Sequence, residues 1–307
     1  MAAAQTDDHL PHRNPEDSHL LTNGTPKTPA HRTALVYDFD GTLAQGNIQE
    51  HSFIPGLGIA AKDFWSKVKA YAREYDADEI LIYMWRMLEL AKSSGTPLTA
   101  AALEAHGCAV PLFRGVESWF DRINLYAADR TLALEHYVIS SGIHEMIRGC
   151  SIFGSFQQVY ASRFVYDESG EAIWPAVAIN YTNKTQFLFR INKGIPSTYD
   201  NELINRWVPL EERPVPFQRM IFIGDGETDI PSMKMVRHQG GHSVAVFDPG
   251  KWKDTRSQTN IYRLIAEDRV HFVAPADYSD GSLLDITVKG ILGRIARSAG
   301  YRDPIGA

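Results

Sequence analysis

Residues 34–43, with the sequence ALVYDFDGTL, combine a short apolar run with two aspartates that are one residue apart. Side chains alternate between the two faces of a β-strand, so Asp38 and Asp40 point to the same side and Phe39 to the other. Two carboxylates at the end of a buried strand cost free energy unless a metal, hydrogen bonds or catalysis compensates them. The simpler alternative is a strand that ends in an acidic turn, for which Asp-Gly is a common signal. The motifs in the rest of the chain decide between these interpretations.

Short apolar segments alternate with helical patterns through most of the chain. Further strands are predicted at 137–139, 220–223, 243–247 and 272–274, with a hairpin over 159–181. This alternation predicts an α/β fold with a doubly wound parallel sheet. In such sheets, ligands bind at the carboxyl ends of the strands, near the point where the strand order reverses. The polar residues that follow the predicted strands are therefore expected to meet at one edge of the sheet.

One region departs from this alternation. Residues 47–112 contain helical patterns without an intervening strand pattern, and the apolar residues between 78 and 92 recur at the spacing of one helix face. We therefore predict a helical module at 47–112, inserted into an α/β core formed by 32–46 and 113–307. Its aromatic residues are interpreted as the module's own core rather than as a specificity pocket, and they are Trp65, Tyr71, Tyr83 and Trp85.

Composition excludes several classes of function. The net charge of −6 argues against a protein that binds nucleic acids or membrane surfaces through a basic face. The N-terminal sequence lacks a signal-peptide pattern, and no apolar run approaches the length of a membrane span, so we expect a cytoplasmic protein. Residues 1–31, rich in His, Pro, Asn, Asp and Thr, are predicted to form a disordered leader. No pattern in the chain indicates an oligomeric state.

Four polar motifs follow one another along the chain. They are the Asp38-Phe39-Asp40 segment, Ser140 at a strand end, a lysine near position 184, and the segment GDGETD at 224–229. Carboxylates, a hydroxyl group and a cation are the groups needed for metal-assisted phosphoryl transfer. Magnesium prefers oxygen ligands, and phosphoryl transfer needs positioning and charge neutralisation above all. An aspartate can itself attack phosphorus and form an aspartyl-phosphate.

This ordered set resembles the haloacid dehalogenase superfamily, and within it the magnesium-dependent phosphatases of the phosphoserine-phosphatase-like branch. The resemblance extends from about Ala34 to Ala274. It implies a Rossmann-like core with a mobile helical cap at 47–112. It also implies a Mg²⁺-dependent phosphomonoesterase that hydrolyses a small phosphorylated metabolite through an aspartyl-phosphate. A phosphomutase and a non-catalytic module that binds a phosphate ligand are the alternatives, whereas a dehalogenase would not need Asp40 or the metal set.

The resemblance also assigns a role to each motif residue. Asp38 is the expected nucleophile, and Asp40 the residue that protonates the leaving alcohol and then activates water. The expected Mg²⁺ ligands are Asp38, Asp40 through its backbone carbonyl, Asp225 and Asp229. The expected phosphate-binding residues are Thr42, Ser140, Ser141 and Lys184, of which Ser140 and Lys184 also count as catalytic.

For two of these assignments the sequence leaves an alternative open. Lys184 precedes a helical run, where the lysine of this family usually lies, and is preferred to Lys193, whose place beside Gly194 is typical of a helix C-terminus. Candidate contacts to the substrate lie where the chain leaves the core, although solvated hinge residues would occupy the same positions. These candidates are Glu50 and His51, together with Asn47 and Gln49.

Overall fold

The computed structural model describes residues 31–226 and 228–302. Within these residues, seven strands form one sheet in the order β4-β3-β2-β1-β5-β6-β7. The strands are β1 (His31–Tyr37), β2 (Leu132–Ile143), β3 (Gln158–Tyr166), β4 (Ala172–Val177), β5 (Met220–Gly224), β6 (His242–Phe247) and β7 (Phe272–Pro275). All neighbouring pairs are parallel except β3 and β4. The strand order reverses between β1 and β5, so the carboxyl ends of these two strands are where a ligand is expected.

Helices connect the strands and cover both faces of the sheet. They are α1 (Phe53–Gly56), α2 (Ala61–Glu74), α3 (Glu79–Ser94), α4 (Ala100–Gly107), α5 (Val116–Ala128), α6 (His144–Arg148), α7 (Lys184–Lys193), α8 (Asn201–Asn205), α9 (Ile230–His238), α10 (Thr255–Ala266) and α11 (Leu283–Ser298). Within the residues that the structure describes, no helix is both long enough and apolar enough to cross a bilayer.

The alternation along β1 explains why the sheet is covered on both sides. Leu35 and Tyr37 belong to one buried cluster, which α5 and α11 complete. Ala34 and Val36 belong to a second cluster on the opposite face, which includes apolar residues of α7 and α9. Because side chains alternate between the two faces of a strand, Asp38 lies on the same face as Ala34 and Val36, which is the face that α7 and α9 cover.

The predicted doubly wound α/β sheet is confirmed, with differences at the boundaries. Strand β1 begins at His31, the last residue of the predicted leader, and residues 1–30 lie outside the described part. Strand β2 is longer than the predicted segment because its polar residues find partners on β1. Glu135 pairs with Arg32 at 2.6 Å, and His136 lies 3.0 Å from the Tyr37 hydroxyl. A strand can therefore extend beyond its apolar run.

The helices of the predicted module lie between β1 and α5, and they do not all pack alike. Helix α2 packs against α3. Helix α4 packs on α6, so closely that a Cβ atom at Gly107 or Gly149 would overlap the backbone of the opposite helix. Helix α3 also contacts β4, so the α2–α3 pair and α4 reach the core at different places.

Candidate active site

Asp38 lies directly after β1, at the carboxyl end of the sheet. Its backbone N–H donates to the Ile223 carbonyl oxygen at 2.9 Å, which ties the end of β1 to β5. Its side chain is buried, with Oδ1 accepting from the Phe39 N–H at 2.7 Å. Oδ2 pairs with Lys184 Nζ at 2.9 Å. The predicted nucleophile is therefore held on both oxygens and faces a cation.

Lys184 is the first residue of α7 and is fully buried. The turn before it is held by Asn180, whose Oδ1 accepts from the Thr182 and Asn183 backbone N–H groups at 3.1 and 3.0 Å. Burial lowers the pKa of Lys184, but the nearby Asp229 and Asp38 carboxylates more than offset this and leave the pKa raised. The lysine is thus charged at neutral pH.

The alternative lysine occupies a different environment. Lys193 lies at the other end of α7, where Nζ donates to the carbonyl oxygens of Ile204 and Arg206 at 2.6 and 2.8 Å. A lysine that binds carbonyl groups near a helix C-terminus acts locally. The structure thus brings Lys184, and not Lys193, to Asp38.

Two further carboxylates follow β5. Asp225 is exposed toward a cavity, whereas Asp229, at the start of α9, is fully buried and pairs with Lys184 Nζ at 2.8 Å. Asp38, Asp225 and Asp229 each offer one oxygen, and these oxygens lie within 4.8 Å of one another. Burial and the Asp38 carboxylate raise the pKa of Asp229 well above its usual value. Three carboxylates beside one ammonium group leave a formal excess of two negative charges.

Glycines allow this close approach. A Cβ atom at Gly41 would overlap Asp225 Oδ2, and one at Gly224 would overlap Asp229 Oδ2. Gly41 also has φ of +72°, in the left-handed region that L-residues disfavour. The Asp-Gly pair that resembled a simple turn signal therefore places a backbone without a side chain against the second acidic motif.

Asp40 has a different environment from Asp38. Its Oδ1 accepts a hydrogen bond from the Ile48 N–H at 2.9 Å. Burial and the neighbouring Asp38 carboxylate raise the pKa of Asp40 to about 8, against the opposing effects of the Ile48 N–H and Lys184. A carboxyl group with such a pKa carries a proton at neutral pH, as a general acid requires.

The second motif is divided between a fully buried serine and a half-buried one. Ser140 is fully buried, and its Oγ accepts from the Gly142 N–H at 2.9 Å. Ser141 contributes to the wall of the cavity, and its carbonyl oxygen accepts hydrogen bonds from the Tyr83 hydroxyl and from Ser162 Oγ. Thr42 lies behind the site. It is fully buried, its carbonyl oxygen accepts from the Tyr278 hydroxyl at 2.9 Å, and it is not among the described residues of the cavity wall.

A cavity of about 370 Å³ opens between this cluster and the helices α2 and α3. Its wall is formed by Asp38, Asp40, Asn47, Gln49, Trp65, Lys69, Glu79, Ile80, Tyr83, Ser141, Tyr181, Asp225 and Thr228. Trp65 and Tyr83 pack on each other, with ring centroids 5.7 Å apart, and belong to or pack against the buried core as predicted, but both also line the cavity. Tyr71 and Trp85 likewise pack on each other, with ring centroids 5.5 Å apart.

A sequence signal for these cavity residues existed. Trp65 and Lys69 are four residues apart on α2, and Glu79 and Tyr83 are four residues apart on α3, so each pair shares a helix face. An aromatic residue beside a charged one on the same face fits a polar cavity better than a closed apolar core. Thr228 lies within the GDGETD segment that the sequence analysis singled out, whereas Tyr181 had no comparable signal because it lies in a connection whose position depends on the fold.

The two predicted substrate contacts differ. Glu50 Oε1 accepts hydrogen bonds from Asn47 Nδ2 at 2.7 Å and from Trp65 Nε1 at 2.5 Å, so Glu50 holds two cavity residues. Glu50 itself lines an adjacent cavity of about 430 Å³, which Asp40 and Asp225 share. His51 Nε2 donates to the Gln45 carbonyl oxygen at 2.6 Å, and His51 lies outside the described walls of both cavities.

Known proteins share this sequence pattern and this fold. An uncharacterized protein of Borreliella burgdorferi is 28% identical over 275 residues, which cover 82% of this chain and 93% of that protein. A HAD family hydrolase from Salmonella enterica serovar Typhi aligns with a TM-score of 0.55 and 14% identity, over 87% of this chain and 73% of that chain. A substrate-bound phosphoserine phosphatase aligns with a TM-score of 0.51 and 13% identity, over 84% of this chain and 97% of that chain. At these identities the two solved structures demonstrate a common fold.

The family model of the haloacid dehalogenase-like hydrolases matches residues 35–234. This match covers more than half of the chain and includes every carboxylate of the cluster, together with Lys184. The chain therefore belongs to the haloacid dehalogenase-like hydrolases.

Proposed function

We propose that this protein is a Mg²⁺-dependent phosphomonoesterase that acts on a small phosphorylated metabolite through an aspartyl-phosphate. The main support is the Asp38 carboxylate, which lies 2.9 Å from Lys184 at the bottom of a cavity that Asp40 also lines. A nucleophile, a cation and a proton donor thus converge in a space that fits a small organic molecule. The cytoplasmic location expected from the sequence belongs to the same proposal.

In the first step, Asp38 attacks the phosphorus atom of the substrate. A bond forms between a carboxylate oxygen of Asp38 and phosphorus, and the bond between phosphorus and the ester oxygen breaks. Asp40 transfers its proton to that oxygen, and the alcohol leaves. Lys184 stabilises the charge on the transferred group, since a buried ammonium group interacts more strongly with charge than one in water.

In the second step, water releases the phosphate. Asp40, now ionised, accepts a proton from a water molecule, which attacks phosphorus and breaks its bond to Asp38. The hydrogen bond from the Ile48 N–H keeps Asp40 in place for both transfers. Inorganic phosphate and the unmodified enzyme are the products.

The acidic cluster fits a divalent cation. Asp229 Oδ2 is buried and has no hydrogen-bond partner among the described residues. Together with the excess of two negative charges, this unpaired oxygen matches an ion that prefers oxygen ligands. Asp38, Asp225 and Asp229 would hold the ion, with the Asp40 carbonyl as the further ligand expected from the resemblance. When bound, the ion would neutralise charge on the phosphoryl group.

We further propose that the helices within 47–112 act as a cap, with α2 and α3 as its mobile part. Polar contacts connect this pair to the core around the cavity. Tyr83 binds the Ser141 carbonyl oxygen, and Asp78 Oδ2 accepts from Asn180 Nδ2 at 2.6 Å, while Trp65 binds Glu50 at the start of the module. These contacts support a closed arrangement that excludes water during the attack by Asp38.

Removing divalent ions should abolish phosphate release and lower the thermal stability. Mg²⁺ added to metal-free protein should restore activity and raise the Tm by several degrees, because the ion relieves repulsion among buried carboxylates. Calorimetric titration of metal-free protein with Mg²⁺ measures binding without relying on turnover. Full activity in EDTA, or a Tm that does not respond to Mg²⁺, would contradict this part of the proposal.

Asp40→Asn should separate the two chemical steps. With p-nitrophenyl phosphate, whose leaving group needs little protonation, the variant should release about one equivalent of p-nitrophenol in a burst. Steady-state turnover should then fall by about a hundredfold or more, because no base activates water. With an alkyl phosphate, even the burst should disappear. Rapid-mixing kinetics test this, and wild-type turnover of both substrates by the variant would exclude Asp40 as the acid and base.

Product analysis tests the reaction class. Free phosphate and the dephosphorylated alcohol are the expected products. If incubation with a sugar phosphate gave an isomeric sugar phosphate instead, the protein would be a phosphomutase.

A further inference from the structure

Gln49 has an unusual environment for an amide side chain. It lies in the short 3₁₀ turn Ile48–Glu50, is only 2% exposed, and forms part of the wall of the 370 Å³ cavity. Its Oε1 atom has no hydrogen-bond partner among the described residues. A buried polar atom of this kind nearly always has a partner in a folded protein, and here the cavity is where a partner can bind.

Tyr83, on the same cavity wall, does not supply the missing partner. The Tyr83 hydroxyl donates to the Ser141 carbonyl oxygen. The Tyr83 proton is therefore already engaged and does not reach Gln49 Oε1, which remains free for a ligand.

Gln49 is also close to the reacting groups. The residue before it, Ile48, donates its N–H to Asp40 at 2.9 Å, and both Asp40 and Gln49 line the cavity. Asp40 is the residue to which the proposed function assigns protonation of the ester oxygen. The leaving group therefore occupies a cavity whose wall includes both Asp40 and Gln49.

We propose that Gln49 Oε1 accepts a hydrogen bond from the leaving group, so that the preferred substrate is a phosphomonoester with a hydroxyl or amine group close to the esterified oxygen. An amide oxygen can only accept, so an ether, carbonyl or carboxylate group at this place leaves Oε1 unpaired. Gln49 is thus a specificity-determining residue. The inference rests on the proposed phosphomonoesterase activity and specifies the chemistry of its leaving group.

Two matched pairs of compounds test the inference. Glycerol 3-phosphate is compared with n-propyl phosphate for the hydroxyl group, and phosphoethanolamine with ethyl phosphate for the amine. For wild-type enzyme we expect kcat/KM to be about tenfold or more higher for the donor-bearing member of at least one pair, because a site built to bind a donor disfavours the analogue without it. The pair that responds identifies the donor.

Gln49→Leu keeps the approximate size of the side chain but removes the hydrogen-bond acceptor. In this variant, the ratio of kcat/KM between the two members of that pair should be close to one. The ratio is taken within each enzyme, so a general change in activity cancels. Gln45→Leu is the matched control. Gln45 lies in the same loop, is exposed, and binds the Leu112 carbonyl oxygen outside the cavity wall, so its variant should keep the wild-type ratio.

The outcomes distinguish this inference from the proposed function. If wild-type enzyme hydrolyses p-nitrophenyl phosphate but shows no preference within either pair, or turns over neither, the inference is wrong. A preference that Gln49→Leu leaves intact also overturns it. If wild-type enzyme releases no phosphate from any of these compounds, the phosphomonoesterase itself is excluded. The wild-type comparison needs no variant, so it holds even if Gln49→Leu does not fold.

Discussion

Asp38→Asn should lower phosphate release by about a thousandfold or more, since an amide does not replace a carboxylate as the nucleophile. The substitution preserves the shape of the side chain, and its Oδ1 can still accept from the Phe39 N–H. Removing one charge also reduces the repulsion with Asp225 and Asp229. Lys184 loses one charged partner but keeps Asp229 at 2.8 Å, so the metal-free variant should still fold, which separates loss of chemistry from loss of structure.

The measurement is release of inorganic phosphate from p-nitrophenyl phosphate, together with thermal unfolding of both proteins. Asp121→Asn is a suitable control because it makes the same chemical change at an exposed position of α5. Its activity should equal that of wild type. Mass spectrometry of acid-quenched protein should find one added phosphoryl group in wild type and none in Asp38→Asn. An Asp38→Asn variant with near wild-type turnover would refute the nucleophile assignment.

Lys184→Met should cause the second large effect, on both activity and stability. The ammonium group is fully buried and pairs with Asp38 at 2.9 Å and with Asp229 at 2.8 Å. Removing one partner of a buried ion pair costs roughly 3–5 kcal/mol, because the other charges stay in the interior without compensation. Activity should fall by about a hundredfold or more, since the charge that stabilises the transferred phosphoryl group is also lost.

Urea unfolding at two pH values tests the electrostatic origin of this loss. The Asp229 pKa is already raised in the wild-type fold, so the folded state binds a proton more readily than the unfolded state. Stability from that proton increases as the pH falls through the folded pKa and is complete below the unfolded value of about 4. Without Lys184, protonation becomes even more important for stabilising the buried carboxylates. The loss of unfolding free energy in Lys184→Met, relative to wild type, should therefore be smaller at pH 5 than at pH 8.

Lys193→Met provides the matched control on the same helix. Lys193 binds two carbonyl oxygens at the far end of α7, so its loss should leave turnover near that of wild type. If Lys193→Met were inactive and Lys184→Met active, the assignment of the lysine would be reversed. If the loss of unfolding free energy in Lys184→Met were the same at both pH values, it would indicate lost packing rather than unpaired carboxylates.

Several features of the fold and the site were predictable because they depend on local patterns. Alternation along β1 places Asp38 on the same face as Ala34 and Val36, which is the face that α7 covers. The rule that ligands bind at the carboxyl ends of parallel strands then predicts that the polar residues after β1 and β5 meet. Asp38, Asp225 and Asp229 do converge in the structure.

Other predictions were limited because local pattern does not specify how elements dock. An aromatic residue on an amphipathic helix has the same spacing whether it faces a core or a cavity, so the sequence predicted the packing of Trp65 and Tyr83 but not their place on the cavity wall. Thr42 lies two residues after Asp40, yet the turn at Gly41 directs it behind the site, where its carbonyl oxygen accepts from the Tyr278 hydroxyl. His51 lies next to Glu50 but binds the chain at Gln45 rather than the cavity.

The sequence by itself determined the order of the elements, the face on which Asp38 lies and the residue types of the acidic cluster, because these follow from periodicity and from motifs a few residues long. Only the tertiary structure decided which lysine pairs with Asp38 and which helix faces form the cavity wall. It also decided that Gln49 keeps an unpaired oxygen. These features depend on distances between segments that are far apart in the chain, and such distances result from the packing of whole elements rather than from any local pattern.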